Sequence, residues 1–229
     1  MPEGRWTLVL ETSGRIGRLG LFDGPEAVEL RSLDASRRNA RDLVPTVAAM
    51  LAARHLTSRD LNRAIVGTGP GSYTGLRVGI VAAKTLAWSL SIPLYAVPAF
   101  ASIAQRVPSD ESPIVEAIAD GLKGKVFCQR LRRSGSGSWE TLEPLTVLPF
   151  DDWLGRIADG SAIATGPGVT TFESRLPPEV RRMPISMREA EPEGSMRLVE
   201  ADPDRWLADL WTLEPLYVRG SYAEEAKKG

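Results

Sequence analysis

The chain has 229 residues, of which 43% are apolar, and it carries 28 Lys and Arg against 29 Asp and Glu. That length is enough for one large domain or two smaller ones with buried cores. The net charge of −1 gives no overall attraction to nucleic acid, so any RNA contact has to be local or supplied by a partner.

Cysteine and histidine are each used once. The single cysteine, Cys128, excludes an intrachain disulfide and fits a reducing compartment. The single histidine, His55, excludes a metal site built from several histidines. Residues 1–5 do not resemble a signal peptide, and Lys84 interrupts the most apolar run, so we expect a cytoplasmic protein without membrane contact.

The first half of the sequence predicts a mixed sheet with helices on its faces. A polar turn at 12–14 separates the first two strands, which we expect to pair antiparallel. Strand patterns cover 6–11, 19–22, 28–32, 64–66 and 92–97, and helix patterns cover 43–51, 76–90 and 98–105. Such an order is typical of an α/β fold.

The second half repeats this plan. The polar, proline-flanked stretch 107–113 predicts a domain boundary. Strand patterns follow at 114–119, 125–131, 142–148 and 162–164, with a short helix at 150–158. We therefore predict one lobe at 1–106 and a second at 107–203, with 204–229 forming a C-terminal helix and tail that packs back on the first lobe.

A glycine-rich turn connects the strand at 64–66 to the long helix. Ser72 or Thr74 can cap that helix, and amides at a helix start attract anions. The P-loop pattern requires lysine after its last glycine, but Leu76 follows Gly75 here. Two interpretations stay open: a tight strand-to-helix connection, which is the commoner case, and a phosphate cradle.

Small residues recur along the helix behind this turn. Gly75, Gly79 and Ala83 stand four residues apart and share one face. A glycine inside a helix costs about 1 kcal/mol relative to alanine, so Gly79 predicts that another backbone approaches closely. That backbone belongs either to this chain's own sheet or to a helix of another chain.

Two acids stand beside strand-end turns, one in each half. Glu11 ends the first strand, and Asp120 ends the first strand of the second half. Two-lobed phosphotransferases hold a metal-bridged nucleotide at such places, although structural acids are the commoner explanation. The chain offers no nucleophile with a suitable base, since no Gly-x-Ser-x-Gly elbow occurs.

Three segments together carry a family resemblance. Residues 67–79, GTGPGSYTGLRVG, resemble the signature of the bacterial TsaB family, also called YeaZ. Residues 8–13, LVLETS, resemble the family's opening strand and turn, and residues 214–219, EPLYVR, resemble its closing motif. The glycine segment is the specific one, and the other two support it.

This resemblance implies an α/β protein with the actin-like, Hsp70-like (ASKHA) fold of two ribonuclease-H-like lobes with mixed sheets. It also implies a noncatalytic scaffold that activates the TsaD transferase in synthesis of N6-threonylcarbamoyladenosine on tRNA, together with the ATPase TsaE. The chain alone would bind no cofactor, whereas the complex uses ATP and magnesium. It would form a homodimer when alone, and meet tRNA only through the complex.

The resemblance also implies where the partner binds, on the first-lobe helices at 43–51 and 71–86. The interface residues it indicates are Leu43, Val47, Met50, Gly71, Ser72, Thr74, Gly75, Arg77, Gly79, Ala83 and Leu86. The residues it would place toward a nucleotide are Glu11, Thr12, Gly69 and Asp120. The alternative function is an independent actin-fold ATPase or small-molecule kinase that uses the two acids of this second set.

Three positions depart from the family pattern. Glu11 stands where the first turn usually starts with aspartate, Leu122 where the second-lobe turn usually carries arginine, and Asn39 where many members have histidine. These changes weaken an independent nucleotide site and leave the scaffold role intact.

Overall fold

The computed structural model describes residues 6–33, 39–135 and 138–216. The end of the closing motif, from Tyr217, and the tail beyond it lie outside the described residues. The strands form a five-stranded sheet in the order β3-β2-β1-β4-β5 and a four-stranded sheet in the order β8-β7-β6-β9. They are β1 Trp6–Glu11, β2 Arg18–Asp23, β3 Glu26–Ser32, β4 Leu61–Gly67, β5 Leu94–Val97, β6 Ile114–Asp120, β7 Lys125–Arg133, β8 Trp139–Pro149 and β9 Ile163–Thr165.

The first sheet is covered on one side by α1 (Asn39–Ala52) and α2 (Tyr73–Leu90). Strand β1 pairs antiparallel with β2 and parallel with β4, which in turn pairs parallel with β5. Successive side chains of a strand point to opposite faces. Leu8 and Leu10 therefore pack with the two helices, whereas Val9 belongs to the core on the other face.

The second sheet repeats the central pairing of the first. Strand β6 pairs antiparallel with β7 and parallel with β9. Its outer face is covered by α4 (Phe150–Ile157) and α5 (Pro167–Thr171), and Trp153 of α4 is completely buried there. Each lobe thus has its sheet between an outer pair of helices and the middle of the molecule.

Two helices form the layer between the sheets. Helix α3 (Ala99–Gln105) packs on the second sheet, and α6 (Pro192–Ala201) packs on the first. The two helices contact each other where Gly194 lies against Ser102: a Cβ at Gly194 would be 2.3 Å from the Ser102 carbonyl oxygen. Because the glycine has no side chain, the helices approach closely and hold the lobes together.

The C-terminal region differs from its prediction. Helix α6 begins at Pro192 and packs on the first sheet, although the predicted second lobe includes it. A four-residue helix α7 (Pro203–Trp206) follows, and the predicted C-terminal helix goes no further because Leu207 forms a bridge with Tyr95 of β5. Helical spacing of apolar residues did not reveal this pairing with an edge strand. The lobe boundaries themselves stay a prediction.

Candidate functional site

The first glycine turn, residues 67–72, connects β4 to α2 and sets the direction of the helix. Gly69 has a φ of +97°, a left-handed conformation that favours glycine. Ser72 caps the helix, since its Oγ accepts a hydrogen bond from the Gly75 amide at 3.2 Å. The Ser72 amide itself donates to the Ser13 carbonyl at 2.7 Å. These two amides are used by the chain's own acceptors, which supports the tight-connection interpretation of the turn.

The glycines of α2 face the turn after β1. A Cβ at Gly75 would lie 2.2 Å from the Thr12 carbonyl oxygen, and a Cβ at Gly79 would lie 2.1 Å from the Thr12 Oγ1. Real Cβ atoms do not come so close to their neighbours, so both positions require glycine unless Thr12 moves. The predicted close approach exists, but the approaching group belongs to this chain. The interpretation that a helix of another chain meets these glycines is corrected accordingly.

Glu11 lies beneath the same turn. Its side chain is 1% exposed, and its carboxylate lies so close to Gly67 that a Cβ there would be 2.2 Å from Oε2. Oε1 accepts a hydrogen bond from the Ser13 amide at 2.9 Å, whereas Oε2 has no partner. Burial raises the pKa of the Glu11 carboxyl, the hydrogen bonds to Ser13 lower it, and the carboxyls of Glu191 and Glu189 raise it.

Those two further acids come from the segment before α6. Burial also raises the pKa of both the Glu189 and the Glu191 carboxyls, and the charge of Arg18 opposes this. Arg18 of β2 pairs with Glu191, Nη1 to Oε1, at 2.5 Å. Glu189 lies beside the turn after β1, since a Cβ at Gly14 would be 3.3 Å from its Oε2. The two lobes therefore meet here through acids with few counter-charges.

Asp120 lies at the end of β6, in the other lobe. It is exposed, and its Oδ1 accepts a hydrogen bond from the Leu122 amide at 2.8 Å. Leu122 and Lys123 have φ values of 62° and 52°, so Asp120 closes a tight left-handed turn into β7. Within the described residues, no three His, Cys, Asp or Glu side chains are arranged to hold a metal ion.

The outward sides of α1 and α2 form a second candidate site, which we call the α1–α2 face. Val44 is 64% exposed, Val81 62% and Trp88 65%. Exposed alanines of α1 extend this apolar surface, and Arg77 of α2 lies over the ring of Tyr73 at 4.3 Å from its centroid. Both helices pack on the same side of the sheet and contact each other, so their outward sides are neighbours.

The predicted interface residues divide by burial. Gly71, Ser72, Thr74 and Arg77 are exposed, and Val47 and Leu86 are half-buried. The remaining five are buried in the lobe's own interior: Leu43, Met50, Gly75, Gly79 and Ala83.

The named interface residues do not include the three most exposed apolar residues of this face, Val44, Val81 and Trp88. Val44 and Val81 lie inside the predicted ranges 43–51 and 71–86, and Trp88 lies outside them. The signal was present, because Val81 and Trp88 lie on the helix side opposite the buried stripe that includes Ile80 and Ala87. An apolar residue on the polar side of an amphipathic helix is the pattern that could have identified them.

A C-terminal strap, residues 207–216, runs beside α2. The Ala208 amide donates to the Leu94 carbonyl, and the Leu216 amide donates to the Thr68 carbonyl, each at 2.9 Å. Between these two points, Lys84 of α2 donates from Nζ to the Leu213 carbonyl at 3.2 Å. The strap thus connects β5 with the first glycine turn.

Comparisons with known proteins agree with this architecture. The family model described as TsaD, tRNA N6-adenosine threonylcarbamoyltransferase, matches residues 33–171. YeaZ from Pseudomonas aeruginosa superposes with a TM-score of 0.75, covering 93% of this chain and 99% of that one at 23% identity. At that identity the likeness concerns the fold alone. In the part of the chain that the structure describes, no helix has the length and apolar character needed to cross a bilayer.

Two curated relatives match this chain over about half of their length, and a third matches over most of it. The TsaB proteins of Bacillus subtilis and Escherichia coli are 35% and 30% identical over 111 and 113 residues, which is 48% and 49% of this chain. These matches span about half of each relative, 48% and 49%. The TsaB protein of Haemophilus influenzae is 24% identical over 93% of this chain and 92% of its own length.

Two lobes built on the same strand pairing, with α3 and α6 between their sheets, give the chain an actin-like (ASKHA) fold. The predicted fold class is confirmed. The chain belongs to the family that the TsaD model describes. Its similarity to curated TsaB proteins and to the YeaZ structure supports the predicted resemblance to the TsaB (YeaZ) family.

Proposed function

We propose that this chain takes part in synthesis of N6-threonylcarbamoyladenosine on tRNA, as a noncatalytic subunit that binds and activates a TsaD-type transferase. The observation that carries the proposal is the α1–α2 face, where Val44, Val81 and Trp88 are exposed although both helices pack on the first sheet. The TsaB relatives, which are named for threonylcarbamoyladenosine biosynthesis on tRNA, supply the biosynthetic context.

The physical argument is the burial of apolar area. Fully burying a large apolar side chain contributes about 1.5–3 kcal/mol, and tryptophan is enriched among residues that dominate binding energy. Contiguous apolar surface on a folded chain commonly marks an interaction site. A partner covering Val44, Val81 and Trp88 would gain this energy while leaving the interior of the lobe unchanged.

The proposal that the chain is noncatalytic is based on the surroundings of Glu11 and Asp120. Glu11 is enclosed between Gly67 and the turn after β1, and Asp120 closes its own hairpin turn. The Glu11 carboxylate is thus closed off from a substrate, and the exposed Asp120 carboxylate already holds its own turn through Oδ1.

Further features of the proposal follow the family. The complex would include a TsaE-type ATPase and consume ATP and magnesium, and tRNA would be met only through the assembled complex in the cytoplasm. When the transferase is absent, the same face would support a homodimer.

The test is a binding measurement with a matched control. Val81→Asp places a charge on the α1–α2 face, and Ile185→Asp places one at an apolar residue of the second lobe that is 68% exposed. We expect Val81→Asp to weaken binding of the purified transferase at least tenfold, or about 1.4 kcal/mol, and to lower threonylcarbamoyladenosine formation by the reconstituted complex. Equal binding by both variants would place the interface elsewhere.

A second candidate, an independent actin-fold ATPase or small-molecule kinase, has one observation in its favour. Glu11 Oε2 and Thr12 Oγ1 are buried without hydrogen-bond partners, so polar atoms are available beside the first glycine turn. Calorimetry of the isolated chain with ATP and magnesium decides between the two functions. Micromolar binding that is lost in Glu11→Gln would favour the enzyme, and absence of heat would favour the scaffold.

A further inference from the structure

The C-terminal strap is attached to the first lobe by side chains that are only partly buried. Three of its apolar side chains pack against the core beneath α1 and α2: Ala208, Leu210 and Leu213. Three others are exposed, by 57%, 79% and 41%: Leu207, Trp211 and Leu216. Stabilisation by burial grows with the apolar area removed from water, and the entropy of ordering the backbone opposes it. The strap can therefore detach at a smaller cost in free energy than unfolding of the lobe.

The middle of the strap is a turn that Asp209 stabilises. Asp209 Oδ1 accepts hydrogen bonds from the Trp211 amide at 2.7 Å and from the Thr212 amide at 3.2 Å. The Leu213 amide donates to the Asp209 carbonyl at 3.0 Å, which closes one helical turn. The last carbonyls of such a turn receive no donor from within it. Lys84 Nζ donates to one of them, the Leu213 carbonyl, at 3.2 Å, and lysine is favoured in this capping role.

Lys84 holds the strap from the middle of α2. Val81 stands three residues before it and Trp88 four residues after it, which places all three on one side of the helix. Val81 and Trp88 are 62% and 65% exposed, whereas Lys84 is half-buried because the strap lies against it. The strap is thus attached on the side of α2 that contributes apolar residues to the α1–α2 face.

The two ends of the strap pair with other parts of the first lobe. Leu207 forms a bridge with Tyr95 of β5, the outermost strand of the first sheet. The Leu216 amide donates to the Thr68 carbonyl, and the Thr68 amide donates to the Val97 carbonyl, each at 2.9 Å. Thr68 belongs to the first glycine turn. One segment therefore contacts the edge of the sheet, the middle of α2 and the turn that sets the direction of α2.

We propose that the strap is a releasable latch, docked through the contact between Lys84 and the Leu213 carbonyl, that holds α2 in the position a partner binds. Lys84 is then a positioning residue, which acts on the α1–α2 face through the strap. The link between latch and partner rests on the function proposed above, whereas the latch itself is a property of the isolated chain.

Amide hydrogen exchange of the isolated chain, followed by NMR, tests the latch. Lys84→Met keeps an unbranched side chain and removes the donor, and Lys84→Arg keeps a cationic donor. Lys125→Met makes the first change at a half-buried lysine of β7, in the second lobe. We expect Lys84→Met to raise the exchange rates of the Ala208 and Leu216 amides at least roughly tenfold, because a hydrogen bond to a charged group is lost. Lys84→Arg and Lys125→Met should stay near the unmodified rates.

A second variant releases the strap from its own side. Asp209→Ala removes the acceptor that stabilises the turn and its Leu213 carbonyl, while α2 keeps its sequence. It should raise the exchange rates of the same two amides, Ala208 and Leu216. Combined with Lys84→Met, it should bring them to the rates of unprotected amides. Amides of β1 and β4, in the interior of the first sheet, should keep their rates, which distinguishes release of the strap from general destabilisation.

Binding of the purified transferase tests the link between latch and partner. A partner that binds only the docked form has an apparent dissociation constant equal to the intrinsic one divided by the docked fraction. The double variant, Lys84→Met with Asp209→Ala, should therefore bind at least roughly tenfold more weakly than the unmodified chain. Lys84→Arg alone should bind normally. By reciprocity, the bound transferase should slow exchange of the strap amides in the unmodified chain.

Each part of the inference has a result that overturns it. The latch is contradicted by unchanged exchange at Ala208 and Leu216 in Lys84→Met, by an equal rise in Lys125→Met, or by an equal rise throughout β1 and β4. The link to the partner is contradicted when the double variant has a released strap and still binds the transferase with full affinity. If the unmodified chain does not bind the transferase, the proposed function fails instead, and exchange in the isolated chain still decides whether the latch exists.

Discussion

In each lobe the same four-residue sequence, Thr-Gly-Pro-Gly, leads from a strand into a helix, but the two helices differ in length. Thr68-Gly69-Pro70-Gly71 follows β4, and Thr165-Gly166-Pro167-Gly168 follows β9, each strand lying parallel to the first strand of its lobe. Gly69 and Gly166 share a φ of +97°. The helix that follows has 18 residues in the first lobe and five in the second.

The outer helices of the two lobes also differ in the large apolar side chains that they expose. The outer helices of the first lobe expose Val44, Val81 and Trp88, whereas α4 and α5 of the second expose no large apolar side chain. The second lobe thus buries the apolar side chains of its outer helices within itself, and the first does not. One repeated plan has thus yielded outer helices that expose large apolar side chains in the first lobe and outer helices that expose none in the second.

The largest effect that tests this contrast compares two tryptophans. Trp153 of α4 is completely buried, and Trp88 of α2 is 65% exposed. Trp153→Ala should lower the free energy of unfolding by about 3–5 kcal/mol, because it leaves a cavity in the core. Trp88→Ala should change it by about 0.5 kcal/mol or less. Urea denaturation of both variants provides the measurement.

Binding should show the opposite order. At a temperature where both variants are folded, Trp88→Ala should weaken transferase binding and Trp153→Ala should leave it near the level of the unmodified chain. If Trp88→Ala proved as destabilising as Trp153→Ala, the outer surface of the first lobe would be part of its own core, and the contrast between the lobes would fail.

The repeated plan itself could be predicted from the sequence. Strand patterns, the polar stretch at 107–113 and the two Thr-Gly-Pro-Gly turns indicated two related α/β lobes, because alternation and turn chemistry are local properties. The group that packs against a helix face, in contrast, is not determined by residues nearby in the sequence. Spacing identified Gly75 and Gly79 as a close-approach face, but only the fold shows that Thr12 fills it.

The C-terminal region shows the same limit. The strap was predicted to begin as a helix because Trp206, Leu207, Leu210 and Trp211 have helical spacing. Its backbone instead bonds to Leu94 and Thr68, which lie far away in sequence. Pairing with an edge strand depends on which edge remains open after the sheet forms. The residues close to the strap in the sequence therefore do not reveal which strand edge it pairs with.

The next largest effect concerns the glycines of the outer helices. Gly75→Ala in α2 places a Cβ 2.2 Å from the Thr12 carbonyl oxygen, whereas a Cβ at Gly155 of α4 has nothing within 4 Å. We expect Gly75→Ala to lower the free energy of unfolding by about 1–3 kcal/mol through overpacking. Gly155→Ala should raise it by up to about 1 kcal/mol, since alanine favours the helix.

Thermal unfolding of the two variants gives the comparison directly. Opposite shifts of the melting temperature would confirm that α2 is held against the turn after β1, while Gly155 of α4 faces open space. A stabilising Gly75→Ala would contradict the close contact with Thr12 and would leave the direction of α2 without its present explanation.

The smallest expected effect is a pH-dependent change in stability caused by Glu11, which lies where the two lobes meet. Burial raises the pKa of the Glu11 carboxyl, so the folded chain holds its proton to a higher pH than the unfolded chain does. The stability that this provides is fully present below the ordinary glutamate pKa of about 4.3, and it is lost as the pH rises through the raised value. Glu11→Gln is neutral at every pH and removes this loss.

We therefore expect the stability of Glu11→Gln, measured relative to the unmodified chain, to increase with pH above about 4.3. The gain corresponds to about 1.4 kcal/mol for each unit by which the pKa is raised. Glu179→Gln, which changes an exposed carboxyl of the second lobe, should give a difference that does not vary with pH. Urea denaturation between about pH 4 and pH 8 supplies the curves. A difference for Glu11→Gln that is also flat would mean that water or a cation reaches the carboxylate, because an enclosed Glu11 without a second hydrogen-bond partner resists ionisation.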